Sequence, residues 1–273
     1  MASVNEALDA PAGDRAAALR TRIDQGIVLV AILALWQGLS LLLGSYWVGS
    51  PWLVIVRFVE GVADGDLLVH ASYTLSEAVI GFVVGGVPAV ALPFLLRRLP
   101  LATAVLDPFM VGGYGAPKLA LAPLFILWFG IGIESKVALV AFTVFFIVYF
   151  STLSGIRALD PRHVQMAQVF GATERHVARH IVFPGAVPYI FTGLRIAMPY
   201  SIGGAVIAEL ISANRGLGYL IQLQAMNYDT SGIFVALVAT TCIVFLGNWT
   251  VNVTERSLLR WRPASDSMLQ TGP

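Results

Sequence analysis

Charge is what this chain has least of: charged residues make up 12% of its 273 positions, against about 25% in a typical soluble domain. A surface so poor in charge cannot face water, which excludes an ordinary soluble domain. The single cysteine, Cys242, sits in an apolar run and so excludes a disulfide framework or a cysteine-based metal site, leaving core or lipid filling as its role. A net charge of +1 excludes the strongly basic footprint of a nucleic-acid binder and the acidic excess of a solvated tail. No Gly-x-x-x-x-Gly-Lys-Ser/Thr segment occurs, so the chain has no phosphate loop of its own. The four histidines, His70, His163, His176 and His180, lie in or beside loops, and no Ser–His–Asp arrangement can be drawn from them. His176 and His180 have the spacing of helical metal ligands but lack a third, and read as a solvated or partner-facing pair.

What the chain has is apolar length. Hydrophobic residues are 57% of it, and about 20 consecutive apolar residues suffice to cross a bilayer as helix. Six such runs are present: 26–44, 71–96, 101–129, 135–153, 188–211 and 233–253. The first is too long for the core of a cleavable signal and follows a mixed-charge stretch, 1–22, that reads as a short unstructured cytoplasmic tail. Gly112, Gly113, Gly115 and Pro117 interrupt the third run, predicting a broken span. Irregular backbone at that depth is tolerated only where protein or a water-filled cavity covers it, so the break predicts a pathway.

Arginine placement orients the spans. Arg15, Arg20, Arg22, Arg97, Arg98, Arg157, Arg162, Arg175, Arg179, Arg256, Arg260 and Arg262 fall on one side if both termini are inside, leaving Arg57, Lys136 and Arg215 outside. Val54, Phe58 and Val62 make residues 50–65 an amphipathic helix along the outer interface. The stretch 213–230 reads as a short helix over the outer mouth. Gly81, Gly85 and Gly86 suit close helix packing.

The cytoplasmic loop 158–187 is the most informative segment. Asp160-Pro161 is a helix start, since the carboxylate accepts backbone N–H groups and proline is tolerated at the first helical position. Gly171 ends that helix; Thr173 caps a second one expected to run through Val182 and to end at Pro184 and Gly185. Val164, Ala167 and Phe170 give the first helix an apolar edge, as Val177 and Ile181 do the second. Two short amphipathic helices joined at a glycine suit a groove on a partner.

The loop resembles that of ATP-binding-cassette importer permeases, patterned Glu-Ala-Ala, three residues, Gly, nine residues, Ile, one residue, Leu-Pro. Here stand Gln165-Met166-Ala167, Gly171-Ala172, Ile181 and Phe183-Pro184 at the same spacing. Pro117-Lys118-Leu119-Ala120-Leu121-Ala122-Pro123-Leu124, Leu127-Trp128-Phe129-Gly130-Ile131-Gly132, Gly155-Ile156-Arg157, Gly193-Leu194-Arg195, Ala208-Glu209 and Gly216-Leu217-Gly218 are similar to the branch importing nitrate, taurine, aliphatic sulfonates and thiamine precursors. Glu77 departs from that branch, which carries arginine there. The resemblance implies an all-α, six-span permease fold of the type I importers, with a permease domain over 67–256. Before it come a cytoplasmic tail (1–23) and a first helix with an outer interfacial helix (24–66); a cytoplasmic tail (257–273) follows. It implies a bacterial inner membrane, both termini cytoplasmic, and an assembly of two permeases (a second copy or a paralogue), two ATPases and an external substrate-binding protein. ATP and Mg²⁺ would be bound by the ATPases, and no cofactor or metal by this chain. The coupling residues it implies are Gln165, Met166, Ala167, Phe170, Gly171, Ala172, Val177, Ile181 and Pro184.

Glu77, Asp107, Lys118, Arg195 and Glu209 fall in or near spans, where a charge costs about 2.5–3.5 kcal/mol even on insertion scales. Either they line the route or they pair with each other to fix packing; Asp107 reads as a cap or interfacial residue, and Lys118 as a snorkelling side chain or as lining the break. An ion-coupled carrier would require an internal repeat and a membrane enzyme a catalytic cluster at one depth. Neither is visible, and the permease reading stands ahead of both.

Overall fold

The computed structural model describes residues 12–259, with side chains from residue 20 onward. Among the described residues the chain is all helix, with no strand. Helix α1 (Ala12–Leu43) is followed by the short α2 (Ser45–Val48) and by α3 (Pro51–Ala63). Helix α4 (Asp66–Leu96) returns across the bundle. Next come α5 (Pro100–Gly115), a 3₁₀ turn (Lys118–Leu121) and α6 (Ala122–Phe129), then the long α7 (Ile133–Arg157). The loop helices are α8 (Pro161–Val169) and α9 (Glu174–Val177), the latter running through a π turn (Ala178–Val182) into α10 (Phe183–Ile211). The chain closes with α11 (Leu217–Met226) and α12 (Thr230–Leu258).

Five of these stretches are long and apolar enough to cross a membrane, and a sixth is the α5–α6 pair, bent by 90°. The predicted break in the third run therefore falls at Ala116-Pro117, where proline cannot extend the α5 ladder. The other helices overshoot their apolar runs: α7 begins two residues before 135 and ends four beyond 153, because backbone hydrogen bonding continues into the polar interface. The unstructured tail expected over 1–22 is corrected from Ala12 onward, where the good helix formers Ala16, Ala17, Ala18 and Leu19 extend α1. Residues 1–11 and 260–273, including most of the expected C-terminal tail, lie outside the described residues.

Helix α7 is the axis, packed between α4 and α10. Its Val140, Val144, Val148 and Tyr149 are buried with Ala78 and Ala89 of α4 and Ala197, Ile202 and Ala205 of α10. Small residues make this possible: a Cβ at Gly85 would collide with the Ala141 backbone, and one at Gly81 with Val140. Gly86 is different, since its Cβ would meet nothing nearer than 3.9 Å. Close approach of this kind replaces the hydrophobic driving force that lipid cannot supply between spans. Cys242 is exposed on α12.

Polar ties gather at the two ends. At one, Ser50 N donates to Ser231 Oγ at 3.3 Å, Arg57 pairs with Asp229, and Trp36 Nε1 donates to Val48 O at 2.9 Å. At the other, Arg97 Nη2 meets Glu174 Oε2 at 2.6 Å and Arg157 lies 3.9 Å from Asp107. Asp107 stands inside α5, so it is an end-facing ion-pair member and not a helix cap.

Candidate functional site

The loop between α7 and α10 is built by local chemistry. Asp160 caps α8 by accepting from Arg162 N at 2.8 Å. At its far end Gly171 adopts φ +82°, while Gly171 N donates to Gln168 O and Ala172 N to Ala167 O, both at 2.9 Å. These two bonds form the Schellman closure that favours glycine at this position. Thr173 then caps α9, accepting from His176 N at 3.4 Å. The expected stop at Pro184 is corrected: helix continues without interruption to Ile211. Pro184 is the second residue of α10, and the π turn just before it accommodates the ladder bond that proline cannot make.

The loop presents an apolar tip. Met166, Val169 and Phe170 are 57%, 85% and 84% exposed, beside the exposed Gln165. Ala167, Ala172, Ile181 and Pro184 are half-buried and Val177 is fully buried, so this set anchors the loop while the tip faces outward. Val169 escaped the sequence reading, although its place beside Phe170 on the last turn was a usable signal. Glu174 ties the loop to the bundle: besides the Arg97 contact, it accepts from Gln168 Nε2 at 3.1 Å. His176 and His180 stack with ring centroids 4.7 Å apart.

At the break, two cavities of about 530 Å³ and 370 Å³ adjoin. Lys118, Thr143 and Tyr200 line both. Lys118 Nζ donates to Tyr114 O at 2.5 Å and sits 5.0 Å from the Tyr114 ring centroid. Thr143 and Tyr200 were not visible as site residues in sequence, since hydroxyls in apolar helices usually bond their own backbone, as Thr143 does to Leu139 O.

The charges do not pair with each other as a single set. Arg195 pairs with Glu255 of α12. It stands 14 residues from Glu209 on one helix, about 21 Å of rise, so those two cannot meet. Glu209, fully buried, instead accepts from Thr74 Oγ1 at 2.8 Å and from Gly218 N at 2.7 Å. Thr74 Oγ1 in turn accepts from Leu217 N at 2.8 Å. Glycine is required around this knot: Gly216 has φ +111°, and a Cβ at Gly216 or Gly218 would strike Glu209. Glu77 adjoins Glu209, with Lys136 in electrostatic range. Lys136 Nζ donates to Ile131 O at 2.9 Å and to Gly132 O at 3.0 Å. Glu77 is 4% exposed, and its Oε2 has no hydrogen-bond partner among the described residues. The break and this knot are thus separate places: Lys118 lines the cavities, while Thr74 and Glu209 fix α4 and α10 to α11.

Comparison with known proteins agrees with this anatomy. Over 245 residues the chain is 34% identical to a putative aliphatic sulfonates transport permease protein of Escherichia coli K12, covering 89% of this chain and 93% of that one. It is 28% identical over 241 residues to a formylaminopyrimidine transport permease protein of Halalkalibacterium halodurans, covering 88% and 96%. In structure it resembles a chain of the inward-facing MetNI methionine ABC transporter, with a TM-score of 0.61 at 16% identity, covering 70% and 95%. The model of the binding-protein-dependent transport system inner membrane component matches residues 78–260. A helical bundle with one broken span, a capped loop bearing an apolar tip and no phosphate loop therefore belongs to that family, the multi-pass permease subunits of ATP-binding-cassette importers.

Proposed function

We propose that this chain forms half of a translocation pathway for a small solute in a bacterial inner membrane, both termini cytoplasmic. A second copy or a paralogue supplies the other half, two separate ATPases bind ATP and Mg²⁺, and an external binding protein delivers the solute. The chain itself binds no cofactor and catalyses no reaction. The observation that carries this reading is the exposed tip Met166, Val169 and Phe170, held at a fixed angle by the Gly171 closure. An apolar tip on a short, capped helix is the shape that docks in a partner's groove. Closure of the ATPase pair would push the loop, and the Arg97–Glu174–Gln168 contacts would pass that movement to α4. The solute belongs with the sulfonate-like or pyrimidine-like cargo named for the relatives.

The test is a mild-detergent pull-down of the tagged chain from its native membrane, followed by ATPase assays of the complex. An ATP-binding-cassette ATPase in near-equal amount supports the reading. Gly171→Trp, which adds bulk at a φ of +82°, should abolish solute-stimulated hydrolysis while leaving membrane insertion intact. Unchanged stimulation would remove the loop from the mechanism. A lone polypeptide that moves solute in liposomes without ATP would replace the whole reading by a carrier.

A further inference from the structure

We propose that Lys118 and Tyr200 form a station for the acidic head of a small organic anion at the break in the third span. The inference rests on the importer reading and chooses within it, because the relatives' names span sulfonates and a formylaminopyrimidine. Among the described residues, Lys118 is the only charged side chain lining either cavity. Lys136 stands in the field of Glu77 and Glu209 and Arg195 pairs with Glu255, whereas Lys118 has no acidic partner among the described residues. An ammonium is costly at this depth unless it serves a pathway or finds a counter-charge.

The ammonium is positioned to receive one. It has three N–H donors; one is given to Tyr114 O, leaving two for an incoming oxyanion. The Tyr200 side chain, on the wall shared by both cavities, carries a hydroxyl for which no hydrogen bond within the described chain is formed, and it supplies a further donor. Ile196 and Phe150 on one side and Ile207 on the other give the walls an apolar character. An oxyanion with a short apolar tail fits both features; a neutral or cationic solute leaves the lysine without a counter-ion.

The decisive measurement uses the chain co-purified with its ATPase in nanodiscs of phosphatidylcholine, with radiolabelled 1-butanesulfonate as the probe. Binding should weaken as salt rises, and butylammonium at the same concentration should not compete. Lys118→Gln should weaken binding by about 10- to 100-fold, the loss of a charge-assisted hydrogen bond, while Lys118→Arg retains it and Tyr200→Phe falls between. Equal affinity in Lys118→Gln, or equal competition by butylammonium in the unmodified protein, overturns the proposal; the second result needs no variant to fold. If phosphatidylglycerol in the disc abolishes sulfonate binding, the site is a lipid headgroup site and the cargo role falls. A complex that couples ATP hydrolysis to uptake yet fails these tests loses only the anion station. A chain that never assembles with an ATPase fails at the importer reading itself.

Discussion

Replacing Thr74 by valine removes one oxygen and almost nothing else, which makes the Thr74–Glu209 knot open to a clean test. The Thr74 hydroxyl is fully buried; it donates to Glu209 and accepts from Leu217 N, joining α4 to α10 and to the start of α11. Valine keeps the shape and leaves two groups short of a partner. An orphaned buried donor or acceptor costs about 1–3 kcal/mol, so two give about 2–6 kcal/mol. Interhelical hydrogen bonds in membranes average only about 0.6 kcal/mol, because the unfolded chain in lipid finds other partners. Two such bonds set a floor of roughly 1.2 kcal/mol. The Leu217 N–H moves the expectation above that floor, since it lies at a helix start where no intrahelical acceptor exists. Thr74→Val should therefore lower the denaturation midpoint of the purified protein clearly, and Thr74→Ser, which keeps the oxygen, should restore most of it. Parallel loss of transport would place the knot in the moving frame. If valine and serine behave alike, the hydroxyl is not what joins these helices and the reasoning fails.

Two further outcomes follow from the packing and the loop. Gly85→Ala should cost about 1–3 kcal/mol by overpacking against the Ala141 backbone, whereas Gly86→Ala, whose added carbon meets only ordinary contact at 3.9 Å, should be neutral or slightly stabilising; comparing their melting midpoints checks this. Arg97→Glu and Glu174→Arg should each weaken solute-stimulated ATP hydrolysis, and the double swap should recover it. The pair is half-exposed, so its effect on stability should stay below about 1 kcal/mol, and the stimulation ratio is the quantity to read.

The spans were legible because a bilayer demands uninterrupted apolar length, and the break was legible because three glycines and a proline cannot continue such a run quietly. The loop was legible for a different reason: Asp160, Gly171 and Thr173 act on backbone groups within a few positions, so their effect is local. Pro184 misled because its consequence depends on what precedes it. After a π turn it opens a helix; after a loop it would have closed one. The charges were legible as unusual but not as partners, since Arg195 meets a residue 60 positions away and Glu209 one 135 away. Thr74 lies one turn before Glu77 in the same apolar stretch, and a polar pair at that spacing was the available hint. Which side of α8 faces outward depended on how the loop leans on α4 through Arg97, a contact across 77 positions that no local pattern encodes.

The uninterrupted helix from Glu174 to Ile211 is 38 residues long, about 57 Å of rise, longer than the roughly 30 Å hydrocarbon layer of a bilayer. One end carries the Arg97 tie and the other carries Glu209. Helical bonding carries through the π turn and Pro184 without a break, so a tilt imposed at the Glu174 end becomes a lateral swing at the Ile211 end. The pivot sets the ratio of the two movements, and the close approach of Gly193 to Ser151 and the Val148 backbone puts that fulcrum at the middle of the rod. With two arms of equal length, a push at one end returns as a swing of about the same size, and opposite direction, at the other.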